Sequence, residues 1–425
     1  MKEDFLYYLW RLNRFDQFDL KTTSGDEIII QNNGELNRDS GPDFLNARIK
    51  IGDTLWAGNV EMHLKSSDWI NHKHQNDTAY DNVILHVVLD EDQPIHRKNG
   101  NQIPCLELRK RIPPKISKTY TKLIQNDHWI PCQNLIHKVP EITLNLWLDR
   151  LMVEKLEIKI IEIEKSLILN KNNWEETFYQ FLSRNFGVKV NAEPFEHLAK
   201  SIPLMTLSKH KSNLLQIEAL LFGQAGFFDD KLIDDYPIKL QKEYQFLKRK
   251  YNLKPIRKDS WKFMRLRPAN FPSLRIAQFA TLIFQSVHLF SKMLAAKNIK
   301  EIENMFDVKI SNYWQNHYVF DKPSIKRNKS LGKNAIHLLI INTIVPFLFS
   351  YGKNKEKEYL KDRALRFLEE LKPEKNNIIE NWKKLGIRPA SAYQTQALLH
   401  LKKQYCHPKK CMHCAIGNAV MKTEN

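Results

Sequence analysis

Two hydrophobic rhythms succeed one another along this chain. In the first, apolar residues alternate with polar ones or form short unbroken runs. Residues 3–15 open it with Phe5, Leu6, Leu9, Trp10 and Leu12 at helical spacing, which predicts an amphipathic helix. Residues 27–31 are a β-branched run between Ser24-Gly25-Asp26 and Asn32-Asn33-Gly34, a strand bounded by turns. A polar loop leads to Gly41-Pro42-Asp43-Phe44; residues 47–51 then alternate apolar and basic, Asp53 supplies a turn, and residues 55–65 form the next strand. Residues 68–80 read as a loop–helix passage. Residues 83–89 are apolar enough for a strand buried on both faces, and residues 103–108 predict one more. Helix, three strands, helix, strand, strand is an α+β order.

From Pro140 the rhythm changes to a period near 3.6. Helices are predicted over residues 144–168, 174–186, 214–221, 239–251, 276–294, 300–313, 335–349, 356–371, 378–385 and 392–405. No fixed repeat runs through them, which argues against a solenoid. The expected organisation is an α+β domain over residues 1–125 and a larger all-α domain over residues 126–425. A chain of 425 residues suits such a division, since a single core rarely grows that far.

Charge sharpens the division. Residues 1–140 hold 18 Lys+Arg against 19 Asp+Glu, whereas residues 141–425 hold 48 against 29. A near-neutral unit rich in carboxylates joined to a strongly basic one suits a polyanionic partner such as nucleic acid; a lysine-rich solvated surface is the plainer alternative. The charged start Met1-Lys2-Glu3-Asp4 lacks the form of a secretory signal, and the apolar stretch 335–349 is expected to be a buried helix too short to span a bilayer. Five cysteines, an odd number, do not make a disulfide framework. A soluble cytoplasmic protein with no membrane association is the expectation.

The candidate chemistry lies on the strand 55–65. Alternation puts Asn59, Glu61, His63 and Lys65 on one face and Val60, Met62 and Leu64 on the other. Asp43 lies one hairpin's length upstream. Two carboxylates brought together could hold Mg²⁺, which prefers oxygen ligands, and Lys65 or His63 could offset developing charge. Alternatively, Asp43 caps the turn after Pro42, and Glu61 and Lys65 form a solvated pair of little energetic consequence.

This arrangement resembles the PD-(D/E)XK nuclease superfamily, whose α-β-β-β-α-β restriction-endonuclease-like core carries Pro-Asp and then Asp/Glu-x-Lys on the next strand. Pro42-Asp43 and Glu61 match; His63 stands where the family has lysine, and Lys65 is two residues further on. The resemblance implies Mg²⁺-dependent hydrolysis of DNA or RNA, with Asp43 and Glu61 as metal ligands and Lys65 or His63 as the basic partner. A nuclease-like fold that binds nucleic acid without cleaving it is the second reading. A zinc hydrolase built on His72, His74, Asp77 and His86 is the third.

Two further groups stand out. Cys406-x4-Cys411-x2-Cys414 can wrap a zinc ion or a [4Fe–4S] cluster if a fourth ligand joins; Cys132 is the best candidate, with Cys105, His407 and His413 as others. Arg265, Arg267 and Arg275 surround a proline-rich loop and could grip nucleic-acid phosphates, or could brace two helices instead. Phe222-Gly223-Gln224-Ala225-Gly226 lacks a phosphate-loop lysine and predicts no nucleotide site. Taken together with Gly58-Asn59-Val60-Glu61-Met62-His63 and Arg267-Pro268-Ala269-Asn270-Phe271-Pro272, these stretches resemble the bacterial family known as domain of unknown function 2851, to which no activity is attached.

Overall fold

A computed structural model describes residues 1–37, 39–286 and 288–423. The first helix, α1 (Glu3–Arg11), buries Phe5, Leu6, Leu9 and Trp10. It is shorter than its apolar spacing suggests because Asn13 adopts the left-handed conformation (φ 50°) and the Arg14 amide turns back to the Leu9 carbonyl. The strands follow as β1 (Ile28–Asn32), β2 (Glu35–Leu36), β3 (Phe44–Ile51), β4 (Thr54–Lys65), β5 (Val83–Asp90) and β6 (Cys105–Glu107).

They form one mixed sheet in the order β1-β3-β4-β5-β6, with β2 beside the start of β3. β3 and β4 are an antiparallel hairpin closed at Gly52-Asp53, with Gly52 at φ 56°. β5 runs parallel to β4, reached through the short helix α2 (Asp68–Asn71) and two 3₁₀ turns, and β6 runs parallel to β5. All of β5 from Val83 to Leu89 is buried, as its unbroken apolar run requires for a strand covered on both faces. Gly58 allows close approach of this neighbour: a Cβ there would collide with Ile84 Cγ2 and meet the Asn82 carbonyl oxygen at 2.7 Å.

Helices α3 (Pro114–Gln125) and α4 (Glu141–Leu169) follow, and the remainder is mostly helical. By contact the chain divides into two compact units. One comprises Met1–Leu151, Asn377–Arg388 and Leu398–Asn425; the other comprises Met152–Asn376 and Pro389–Ala397. The sequence expectation of a single cut after residue 125 differs from this division, because the cysteine-bearing C-terminal stretch groups with the sheet. The second unit is also not purely helical: His317–Val319 and Lys322–Pro323 make a small antiparallel hairpin. The apolar stretch 335–349, expected to be too short for a bilayer, is the middle of a continuous 22-residue helix, Lys333–Asn354. That helix is long and apolar enough to cross a membrane, and 67% of its most apolar window is buried within the protein.

Candidate metal centre

The hairpin β3–β4 brings Asp43 and Glu61 together through an irregularity. From Ile51↔Thr54 to Ala47↔Gly58 the register is regular, and continued unbroken it would set Asp43 against Met62. Instead it shifts between Ala47 and Phe44, and Phe44 pairs with Val60. One extra residue in β3 is a β-bulge, with Asn46 at φ 60°, a conformation that asparagine tolerates better than most residues. Because facing side chains share a side of the sheet, the shift moves Asp43 onto the Glu61 side. The two residues then interlock: the Asp43 amide donates to Glu61 Oε2 at 3.0 Å, and the Met62 amide donates to Asp43 Oδ2 at 3.0 Å.

Both faces of β4 are buried at this level, Glu61 being 4% exposed and His63 1%. Glu61 and Lys65 are therefore not a solvated surface pair. From α1, the Tyr7 hydroxyl donates to Asp43 Oδ1 at 2.8 Å. The crossover between β4 and β5 supplies two imidazoles. An i, i+2 pair within a helix would diverge, but Lys73 between them is left-handed (φ 62°), and His72 and His74 both turn toward His63. One ring nitrogen of each of these three histidines lies within 4.8 Å of the others. His63 Nε2 is 3.1 Å from His72 Nδ1. Glu61 Oε1 lies beside two members of this group, 3.3 Å from His74 Nε2 and 3.6 Å from His63 Nε2.

A supporting layer orients these rings. His86, on β5 in register with Glu61, places its Nε2 2.8 Å from His63 Nδ1. If His63 offers its Nε2 lone pair to the centre, its Nδ1–H donates to His86, whose own proton then sits on Nδ1. The Tyr80 ring stacks on His74 at 3.8 Å, and the Trp69 edge meets both His74 and His86.

Burial dominates the electrostatics of this group. Burial, reinforced by Glu61, pushes Asp43 up to about 7, and burial pushes Glu61 up to about 8. Burial and the neighbouring imidazoles push His63 down to about 2, and His74 and His86 are lowered chiefly by burial. Uncharged imidazoles have the free lone pairs that a metal requires, and a cation would restore the carboxylates to their ionised form. His74 Nε2 is buried without a hydrogen-bond partner, close to Glu61 but not aligned with it. Three imidazoles and a carboxylate fit a transition ion. Perturbed groups gathered in this way are a recognised mark of functional sites.

The remaining predicted residues fall elsewhere. Lys65, although on the His63 side by alternation, lies two residues or about 7 Å further along the strand. It is exposed at the strand end, beside the Asp90 carboxyl, which the Arg109 hydrogen bond chiefly lowers and Lys65 lowers further. Asp77 is exposed and caps the turn at Ala79. Tyr7 and Glu3 escaped the sequence reading; Glu3 lies on α1 and feels both His72 and His74. Their position every fourth residue of α1 is the only signal that could have singled them out.

Cys132, Cys406, Cys411 and Cys414 are all free and buried within the sheet-bearing unit. Burial raises each thiol, pushing Cys411 up to about 12 and Cys414 to about 11, and Cys132 and Cys406 each also feel Cys411 and Cys414. The two segments are bound together by Lys409 Nζ, which donates to the Ile124 and Asn126 carbonyls at 2.8 Å, and by Trp147 packed edge-on against Tyr405. Cys105 is instead beside Glu91, and His413 faces Asp4. Arg265 and Arg267 are exposed, whereas Arg275 is only 7% exposed, which removes it from any polymer-binding surface.

No curated protein and no solved structure matches the chain. A family model described as "Protein of unknown function (DUF2851)" matches residues 3–377, from α1 through the carboxylate–histidine centre and most of the helical unit. The match ends before Cys406. Spanning well over half of the sequence, it establishes that the chain belongs to the DUF2851 family.

Proposed function

We propose that the centre formed by Asp43, Glu61, His63, His72 and His74 is a divalent-metal site that hydrolyses phosphodiester bonds in nucleic acid. The observation that carries the reading is the convergence of the buried Glu61 and half-buried Asp43 carboxylates with three clustered imidazole nitrogens on one side of the sheet. The antiparallel hairpin followed by a parallel strand also agrees with the order α-β-β-β-α-β of restriction-endonuclease-like cores. Glu61, His63, His72 and His74 would hold the ion, with Asp43 beside them. This donor set suits zinc, manganese or iron better than the Mg²⁺ expected from the carboxylates alone. Such an ion supplies Lewis acidity toward a phosphoryl oxygen and acidifies water.

The chain's own residues would do the rest. Tyr7 holds the Asp43 carboxylate, and His86 fixes the orientation of His63. A cavity of about 190 Å³ beside His74 is lined by His96, Arg97, Lys98 and Asp81, the last paired with Lys98 at 3.6 Å, and keeps a net positive wall. The test is an assay of the purified protein on single- and double-stranded DNA and RNA with Mn²⁺, Zn²⁺ or Mg²⁺, alongside Glu61→Gln and His74→Ala. Transition-ion-dependent cleavage lost in both variants is expected. Wild-type activity in both variants would overturn the assignment, and salt-dependent binding without cleavage by any ion would leave a binding protein on a nuclease-like fold.

We also propose that Cys132, Cys406, Cys411 and Cys414 hold a zinc ion or a [4Fe–4S] cluster that fastens the C-terminal stretch to the sheet-bearing unit. Among the described residues only His63, His72 and His74 bring three ligand atoms within 4.8 Å of one another, but the four thiols are buried in one unit, and a positive centre there would ionise them. Metal analysis and the visible spectrum should show one zinc or a cluster. Either should be lost in Cys411→Ser and kept in Cys105→Ser; metal-free protein would remove the idea.

A further inference from the structure

The helical unit contains a cavity of about 530 Å³ with Arg275 in its lining. Arg275 lies on the helix Pro272–Gln285 and is more than nine-tenths buried. Its Nη2 donates to Asn270 Oδ1 at 2.7 Å and its Nη1 to Gln278 Oε1 at 3.3 Å, both neutral amides. Its Nε is buried with no partner. No aspartate or glutamate lines the cavity among the described residues. Burial draws this guanidinium down to about 10, so it remains charged at neutral pH. A buried charge without a counter-charge is costly, and a fold that retains one has a use for it.

A second, independent feature meets it. The continuous 22-residue helix Lys333–Asn354 begins at this cavity, with Gly332, Asn334 and Ala335 in its wall. Its cap residue Gly332 has no side chain to satisfy the first amides, and its first turn carries no acidic residue. The partial positive charge of a long helix therefore faces the same space as the guanidinium. Lys189 stands at the rim, and Phe186, Leu338 and Leu339 give the cavity an apolar wall. The volume lies in the range of small-molecule sites, larger than a bare ion needs.

We propose that this cavity binds a small organic phosphate, its phosphate group between Arg275 and the N-terminus of helix Lys333–Asn354 and its organic part against the apolar wall. A guanidinium fork and helix amides are the usual phosphate grip. The site belongs to the helical unit and does not depend on the reading of the carboxylate–histidine centre.

The test is isothermal titration of the full chain with AMP, adenosine and inorganic phosphate, in EDTA and at matched ionic strength so that metal-dependent binding elsewhere is silent. AMP should bind, phosphate more weakly, and adenosine not at all. Arg275→Met should weaken AMP by about tenfold or more, the scale of one charged hydrogen bond. Because that variant could unfold a buried site, Asn334→Asp is the companion: it places a negative charge in the exposed first turn, where helices accept one, and should fold normally while abolishing binding. No binding of AMP or phosphate to the wild type, or unchanged affinity in Asn334→Asp, would overturn the proposal.

Discussion

Replacing Glu61 by glutamine in metal-free protein should change how stability depends on pH. Glu61 is raised from an ordinary 4.5 to about 8 by burial. An acid raised in the folded state contributes stability that is complete below its unfolded value and disappears as pH climbs through its folded one. Between those limits each pH unit removes about 1.4 kcal/mol. The interval of about 3.5 units gives an upper figure of roughly 5 kcal/mol. Coupling to Asp43, raised in the same way, and residual solvent access bring the expected loss to about 3 kcal/mol. For a unit of this size that is a fall in melting temperature on the order of 10 °C. Thermal unfolding in EDTA from pH 5 to 8.5 should show this fall in the wild type and a flatter profile in Glu61→Gln. Saturating Zn²⁺ or Mn²⁺ should reverse the trend, since ion binding favours the charged carboxylates and neutral imidazoles that higher pH supplies. Parallel wild-type and variant profiles in EDTA would refute the electrostatic reasoning.

The bulge can be tested directly. Asn46→Gly keeps the left-handed conformation and should keep metal affinity, whereas Asn46→Val should cost about 1–2 kcal/mol in strain and weaken binding measured by equilibrium dialysis. Lys65→Ala should leave the turnover proposed for this centre within about twofold of wild type, because Lys65 is exposed at the strand end; a loss approaching 10²-fold, the scale of a general acid–base group, would return it to the site. In the helical unit, Glu218 is fully buried beside Tyr236 and is raised by burial to about 7. Its contribution disappears as pH rises from its ordinary 4.5 through 7, so Glu218→Gln should stabilise by about 3 kcal/mol at pH 8 and little at pH 5, read from urea unfolding.

Much of this centre was legible in the sequence, and what was not depended on backbone geometry. Alternation along residues 59–65 placed Glu61 and His63 on one side, and Pro42-Asp43 announced a carboxylate at a strand's beginning. Alternation could not say how far along that side the site extends, so Lys65 looked equivalent to His63. Nor could it say that α1 covers that side and supplies Tyr7, since partners across a core leave no local pattern. Three of the cysteines are close in sequence, and the structure buries them and Cys132 in one unit. The basic loop was read too uniformly: Arg265 and Arg267 are exposed while Arg275 is buried, a distinction carried only by its position on the apolar helix Pro272–Gln285.

The least legible element is the one on which the site depends. Buried residues in β3 run Phe44, Ala47, Ile49 and Ile51, a spacing of three and then two. Three steps between side chains on one side of a strand are possible only if one residue is extra. That break, rather than the distance from Asp43 to Glu61, decides which side of the sheet Asp43 joins. An uninterrupted hairpin would put its carboxylate opposite Met62 in the apolar core, where an unpaired charge is prohibitive. With the bulge, the carboxylate reaches Tyr7, the Met62 amide and the histidine side. The same reasoning bears on His63. Beside two carboxylates whose protonated forms burial favours, a lysine would stabilise their ionised forms and compete with a cation, whereas a neutral imidazole oriented by His86 would offer a nitrogen donor instead. A histidine where the PD-(D/E)XK pattern has lysine would therefore make the proposed centre a mixed nitrogen–oxygen site rather than an oxygen site with a basic neighbour, and metal preference is where that difference should be measured.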